Sequence, residues 1–334
     1  MGSALGGKRL VVALKQFKNV SFKRRRSRER MFNEPVRGFS VSKEIRLADL
    51  PRLYSSLGFQ ASELARACEV IKRARKDKAT FFLSLTSNIV SSGLREIVAQ
   101  LCREKAVHAV ITSTGAIEED FMKTKHSFLL GEFDVDDSQV KKQALNRIGN
   151  VFVPDEAYVW LEERDKEILQ EIYLREGVLV PSDYCKRVGE SINDENSFLY
   201  WAARNSIPVF CPGFVDGAIG DHVFFFNQGK SKPLVVDEAR DLACFYKMML
   251  LAEKTAGVVV GGGIAKHHLI GAAILRNGLD YAVYVGTGTQ YDGSLSGARP
   301  TEAVSWNKLK NKRNSAFVEG EATLVLPVLA TAFL

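Results

Sequence analysis

The 334-residue chain contains no uncharged apolar run near the roughly 20 residues needed to span a bilayer, which excludes a helical membrane protein. Its five cysteines, Cys68, Cys102, Cys185, Cys211 and Cys244, are scattered and form no C-x-x-C pair. That argues against a disulfide framework or structural zinc and suits a reducing, cytoplasmic compartment. Proline is sparse, and no Pro-rich linker, low-complexity tract or internal repeat divides the text. Both glycine-rich nucleotide fingerprints, G-x-G-x-x-G and G-x-x-x-x-G-K-S/T, are missing, which argues against a generic dinucleotide or kinase signature. Most of the chain also lacks basic excess. The net charge is +7, but the first 35 residues hold ten Lys or Arg against Glu29 and Glu34. That segment carries +8 and leaves −1 for the rest, which excludes a uniformly basic nucleic-acid-binding body and makes nucleic acid an unexpected partner.

The composition is 46% hydrophobic and 25% charged, enough for a sizeable core. In the leading segment, Lys23, Arg24, Arg25, Arg26 and Arg28 follow a moderately apolar stretch over 10–17. It reads as a solvated basic arm over 1–35 or a subunit contact, with RNA binding or an Arg-rich presequence as alternatives. A secretory signal is not evident. Residues 36–334 read as a single catalytic domain with no internal boundary.

Within that domain the spacing predicts helix over 47–76, divided near Pro51 and Gly58, as a helical entry to a sheet. Short apolar runs at 81–85, 106–111, 207–211, 257–260 and 281–285 predict strands buried on both faces. Helical patterns at 93–104, 156–176, 239–255 and 267–277 alternate with them. The fold class is therefore α/β, a doubly wound, largely parallel sheet with a helical N-terminal region.

In such a sheet ligands bind beyond the carboxyl ends of the strands, where loops diverge and helix amino termini present unpaired N–H groups. Five polar clusters are predicted there. Residues 86–93 offer Ser and Thr hydroxyls to a phosphate, or simply cap a helix. Residues 112–120 set Gly115 before Glu118, Glu119 and Asp120, as ligand groups or helix-dipole partners. Residues 212–221 hold Asp216 and Asp221 in a glycine-rich loop, as ligand carboxylates or turn formers. Residues 258–268 place three glycines before Lys266, His267 and His268. Adjacent histidines diverge by about 100° on a helix, so the pair is not expected to chelate a metal; one could be an acid/base and the other surface.

The fifth cluster, 284–308, is a long glycine-rich loop bringing Tyr284, Asp292, Glu302, Trp306 and Lys308 into one stretch. Carboxylates and aromatic faces suit a polyamine. A lysine in apolar surroundings supplies a free amine that attacks an imine or carbonyl carbon; the alternative is a solvated surface lysine.

From about residue 39 to 334 the chain resembles the deoxyhypusine synthase family. The resemblance rests on Ser87-Asn88-Ile89-Val90-Ser91-Ser92-Gly93, residues 115–120, Asn146-Arg147-Ile148-Gly149-Asn150, and residues 216–221, 261–268 and 297–308, all in order. It implies a Rossmann-like NAD-binding core and an NAD-dependent enzyme that moves the aminobutyl group of spermidine to one lysine of the translation initiation factor 5A precursor. By motif position, Lys308 would be the imine-forming lysine and His267 the acid/base. The cofactor side would use Ser87, Asn88, Ile89, Val90, Ser91, Ser113, Thr114, Gly115, Glu119, Asp216, Gly262, Thr287, Gly288, Glu321 and Ala322. The substrate side would use Glu118, Glu119, Asp221, His267, Tyr284, Gly293, Ser294, Glu302, Trp306 and Lys308.

The resemblance also implies a homotetramer with active sites between subunits. Leu295 stands where many members carry an acid, Gly271 where asparagine is common, and Glu321 where aspartate is usual. With the basic arm in place of a eukaryotic helical extension, an archaeal-type member is expected. Homospermidine synthase, which passes the same group to putrescine, and a catalytically inactive regulatory paralogue are the rival readings.

Overall fold

The computed structural model describes residues 35–334, so the basic arm falls outside it apart from Pro35. Among the described residues eleven strands form: β1 Thr80–Leu85, β2 Ala109–Ile111, β3 Leu129–Leu130, β4 Leu145–Ile148, β5 Val151–Pro154, β6 Val178–Leu179, β7 Val209–Phe210, β8 Val235–Val236, β9 Thr255–Val260, β10 Tyr281–Gly286 and β11 Ser315–Glu319. The central sheet has six strands in the order β11-β10-β9-β1-β2-β7, every pair parallel. Chain order reverses direction between β1 and β9, which defines the switch point where a crevice opens.

The strands are apolar throughout because helices cover both faces. Phe81, Leu83, Leu85, Val258, Val260, Val283 and Val285 join one apolar cluster, and Phe82, Val259, Ala282 and Tyr284 join the other. That alternation is the two-residue period of a strand. The helix Phe59–Lys76 buries Leu64, Ala67, Cys68 and Ile71 at three- and four-residue spacing on the first face. A buried Leu or Ile there contributes about 1.5–3 kcal/mol, so the helix is held by packing rather than by intrinsic propensity. A three-stranded antiparallel sheet, β3-β5-β4, and a two-strand parallel pair, β6-β8, lie outside the central sheet.

The predicted elements recur with informative shifts. The strand expected over 106–111 is only β2, because Ala106 N–H donates to Leu101 carbonyl and closes the preceding helix. The run 207–211 narrows to β7, an edge strand paired only with β2 at two residues. The helix expected over 239–255 is Glu238–Leu251; Ala252 turns to extended geometry and Thr255 already belongs to β9. The pattern at 267–277 begins earlier, as Gly263–Ala272, and ends in a 3-10 turn before left-handed Asn277. The helix expected over 93–104 is Arg95–Arg103, entered through a π-turn, Val90–Leu94, with Gly93 at φ +92°. Among the described residues, no helix is long and apolar enough to cross a membrane.

Candidate active site

Since all six strands run in parallel, their carboxyl ends share one edge, and the loops that leave them carry the five clusters. Close glycine contacts join these loops into one rim. A side chain at Gly115 would meet Ser87 Cβ at 3.1 Å, and one at Gly217 would meet Glu118 Oε1 at 2.7 Å. Gly261, at φ +95°, brings the backbone to where a Cβ would sit 2.5 Å from Thr86 Oγ1. Only glycine accepts that conformation and that approach without strain. Gly262 packs the same way on Ser296. The helices starting at Thr114, Ala218 and Gly263 all begin at this rim without a side-chain cap.

On the β1 and β2 side, the acids of one helix are buried. Glu118, Glu119 and Asp120 lie on the helix Thr114–Met122 and are nearly or fully enclosed. Burial pushes the Glu119 carboxyl up to about 7, against a hydrogen bond from the Ser91 hydroxyl and the Lys123 charge. Burial also raises Glu118, whose Oε1 accepts the Ile219 N–H at 2.9 Å. Asp120 accepts from Arg95 Nε at 2.6 Å, Ser197 Oγ at 2.7 Å and Leu199 N at 3.0 Å, which makes it a fold element. Thr114 Oγ1 donates to Phe214 carbonyl at 3.0 Å and ties this helix to the loop after β7.

Of the expected cofactor residues, Ser87 and Asn88 are accessible, whereas Ile89 and Val90 point into the core and leave only backbone near the rim. The Val90 and Ser91 carbonyls accept from Lys123 Nζ. Glu321 caps its own helix, Ala322–Ala330, through Thr323. Asp216 is exposed in the loop after β7.

The β9 and β10 half differs. Lys266 is its one fully buried cation: Nζ donates to Ala298 carbonyl at 2.9 Å and to Ser296 carbonyl at 3.3 Å, 4.8 Å from the Tyr284 ring centroid. Burial lowers its pKa to about 8, against the pull of Glu302. Tyr284 is also buried, and its hydroxyl has no hydrogen-bond partner among the described residues. Lys266 thus pins the loop 287–299 to the sheet, while Gly288 and Gly297 let that loop close on itself.

Residue spacing alone could have pointed to Lys266, because Leu269, Ile270 and Ala273 follow at i+3, i+4 and i+7 on the buried face of its helix.

His267 is exposed at the rim. His268 is not a surface residue, as the sequence reading allowed for one of the pair: it stacks on Phe245 at 4.8 Å, and burial lowers its pKa to about 4. Lys308 follows left-handed Asn307 and precedes buried Leu309, with its carbonyl accepting from Leu279 N–H at 3.1 Å. Its amine lies 5.3 Å from the Trp306 ring centroid and is half-buried, not enclosed, in the single chain. Glu302, Trp306, Asp221, Thr287, Gly293 and Ser294 are exposed along the same edge. Leu295 is half-buried against the second apolar cluster. Among the described residues, no group of three His, Cys, Asp or Glu is placed to hold a metal.

Comparison with known proteins shows the family. The family profile described as deoxyhypusine synthase matches residues 49–333. A Halobacterium salinarum protein named "Probable deoxyhypusine synthase" is 44% identical over 297 residues, covering 88% of this chain and 90% of its own. A Methanocaldococcus jannaschii protein of the same name is 40% identical, covering 84% and 90%. A crystal structure from Entamoeba histolytica named for the same enzyme aligns with TM-score 0.63 at 24% identity, covering 89% of this chain and 96% of that one, a likeness of fold. With the match spanning nearly the whole described domain and relatives covered almost end to end, the chain belongs to the deoxyhypusine synthase family.

Proposed function

We propose that this chain is an NAD-dependent deoxyhypusine synthase that transfers the aminobutyl group of spermidine to a lysine of the initiation factor 5A precursor. The observation that carries the reading is the Lys308 amine set against Trp306 on a rim that also presents Glu302, Asp221 and His267. Family membership makes the chain an aminobutyl transferase; donor, acceptor and cofactor are the proposal.

The rim fits a dinucleotide in its donor chemistry. The uncapped helix start at Thr114 leaves N–H groups for a diphosphate, and the Ser87 and Ser113 hydroxyls add donors. Ser87, Asn88, Ser113, Thr114, Gly115, Asp216, Gly262, Thr287 and Gly288 would hold it. When bound, NAD supplies the hydride acceptor for the carbon beside a spermidine amine.

Exposed Asp221 and Glu302 bind the ammonium ends of the polyamine, and Trp306 covers its methylenes and charge. His267, on the rim, takes the proton that leaves one nitrogen neutral. The Lys308 amine then adds to the oxidised carbon, the diaminopropane amine departs, and the four-carbon unit is held as an imine on Lys308 until the acceptor lysine displaces it; the hydride taken up at the start would then return to that second imine, leaving a saturated aminobutyl-lysine. The exposed Trp306, Tyr291 and Leu324 are apolar groups that a second copy would cover, in keeping with a homotetramer whose sites lie between subunits.

The test is borohydride trapping of labelled spermidine with NAD present and peptide mapping of the label. Modification at Lys308 is expected; label elsewhere, or none, sinks the mechanism. Offering both the factor precursor and putrescine as acceptors separates the protein-modifying enzyme from homospermidine synthase.

A further inference from the structure

Asp165 is wholly buried in the middle of the helix Asp155–Arg175. Each of its oxygens takes one donor: the Tyr184 hydroxyl on Oδ1, and His222 Nδ1 on Oδ2 at 2.6 Å. His222 lies one residue after Asp221 on the helix Ala218–Asn227. That helix has no capping side chain of its own. Its first turn is held by Glu118 Oε1 on Ile219 N–H and by Gly220, where a Cβ would meet Val215 carbonyl at 2.0 Å.

We propose that His222 is a positioning residue: its hydrogen bond to buried Asp165 fixes the rotation of the helix Ala218–Asn227 and so aims Asp221 at the polyamine. Consecutive helical side chains are set about 100° apart, so an anchored His222 determines the azimuth of Asp221. The groups facing His222 support a charged anchor. Burial opposes protonation, but Asp165 and Glu162 on one helix and Glu118 on another outweigh it, and the imidazole pKa is raised. On its open side the ring borders a pocket of about 310 Å³ that also includes Lys166, Gln170 and Lys230. The anchor is therefore built from residues that carry no part of the proposed chemistry.

This inference rests on the proposed role of Asp221, and its test separates the two. His222→Leu is expected to raise KM for spermidine about tenfold with kcat within about threefold, and His222→Asn, whose Nδ2 can replace Nδ1, to recover most of that loss. The double variant Asp221→Asn/His222→Leu is expected to be no worse than Asp221→Asn alone, since both act on one contact. Losses that multiply, or a kcat loss with KM unchanged, would overturn the anchor. Amide exchange of residues 218–227 reads the clamp without turnover: faster in His222→Leu and restored in His222→Asn. Unchanged exchange overturns the anchor. Changed exchange with no spermidine turnover by the parent protein overturns the functional reading instead.

Discussion

The two halves of the rim solve opposite problems. Around β1 and β2, the acids of the helix Thr114–Met122 are enclosed and satisfied within the chain: Asp120 by Arg95 and Ser197, Glu119 by Ser91, Glu118 by the Ile219 amide, while Asp216 and Asp221 beyond β7 stand exposed. Around β9 and β10, Glu302, Trp306, Tyr291 and His267 stand exposed, and the one buried charge, Lys266, is spent on loop carbonyls. A surface whose polar groups are already paired is pre-organised, whereas one with unpaired carboxylates beside exposed rings awaits a ligand or a second copy. The enclosed acids of the first half should therefore govern stability, and the exposed groups of the rim, Asp221 included, the chemistry.

The largest test of that division is Lys308→Ala. Turnover is expected to fall by at least about a thousandfold and the trapped adduct to vanish, while NAD affinity by fluorescence titration stays within about threefold. Next comes Asp120→Ala, which leaves buried Arg95 with partly exposed Asp194 as its remaining carboxylate and strips the Ser197 hydroxyl and Leu199 amide of their acceptor. A loss of about 3–5 kcal/mol in denaturant unfolding is expected, and a loss within experimental error would show that the first half is not the structural one.

The pH dependence of stability sharpens the contrast further. Glu119 has its folded pKa raised to about 7, so the folded state holds the proton more tightly and stability falls as pH rises from the ordinary carboxylate value toward 7. Lys266 is lowered to about 8, so the unfolded state holds more protons above that value and stability rises from pH 8 toward the ordinary lysine range. Each contribution is on the order of 3 kcal/mol across its window at about 1.4 kcal/mol per pKa unit. Glu119→Gln should flatten only the acid-side slope of Tm against pH, and Lys266→Met only the alkaline one. The smallest effect belongs to Trp306→Leu, where losing a cation–π face of about 1 kcal/mol should weaken spermidine binding roughly fivefold by calorimetry without moving Tm.

Much of this was legible beforehand for reasons that can be named. Short apolar runs such as Phe81 to Leu85 and Tyr281 to Val285 fit strands covered on both sides, and alternating them with helices leaves few topologies. The glycines of 261–263 and 288–297 marked the rim because close backbone approach leaves no space for a Cβ. Less visible were β3, β4 and β5, short strands with exposed residues whose pairing follows from a hairpin rather than from periodicity. Lys266 was overlooked as a buried group because lysine is rarely enclosed, and only its helical spacing to Leu269 and Ile270 betrays it. The N-cap role of Glu321 on the final helix was likewise not legible in the text.

The amino-acid sequence by itself determined the class of fold, the order of the motifs and the lysine that stands two residues after Trp306, because hydrophobic period, glycine placement and motif order are local properties of the text. Only the tertiary structure decided which acids are sealed and which are free, that Lys266 rather than Lys308 is the dry amine of the single chain, and that His222 meets Asp165 across 57 residues. Burial, and with it the protonation behaviour of every group at the rim, is a property of what packs against a residue, and strands far apart in sequence supply that packing.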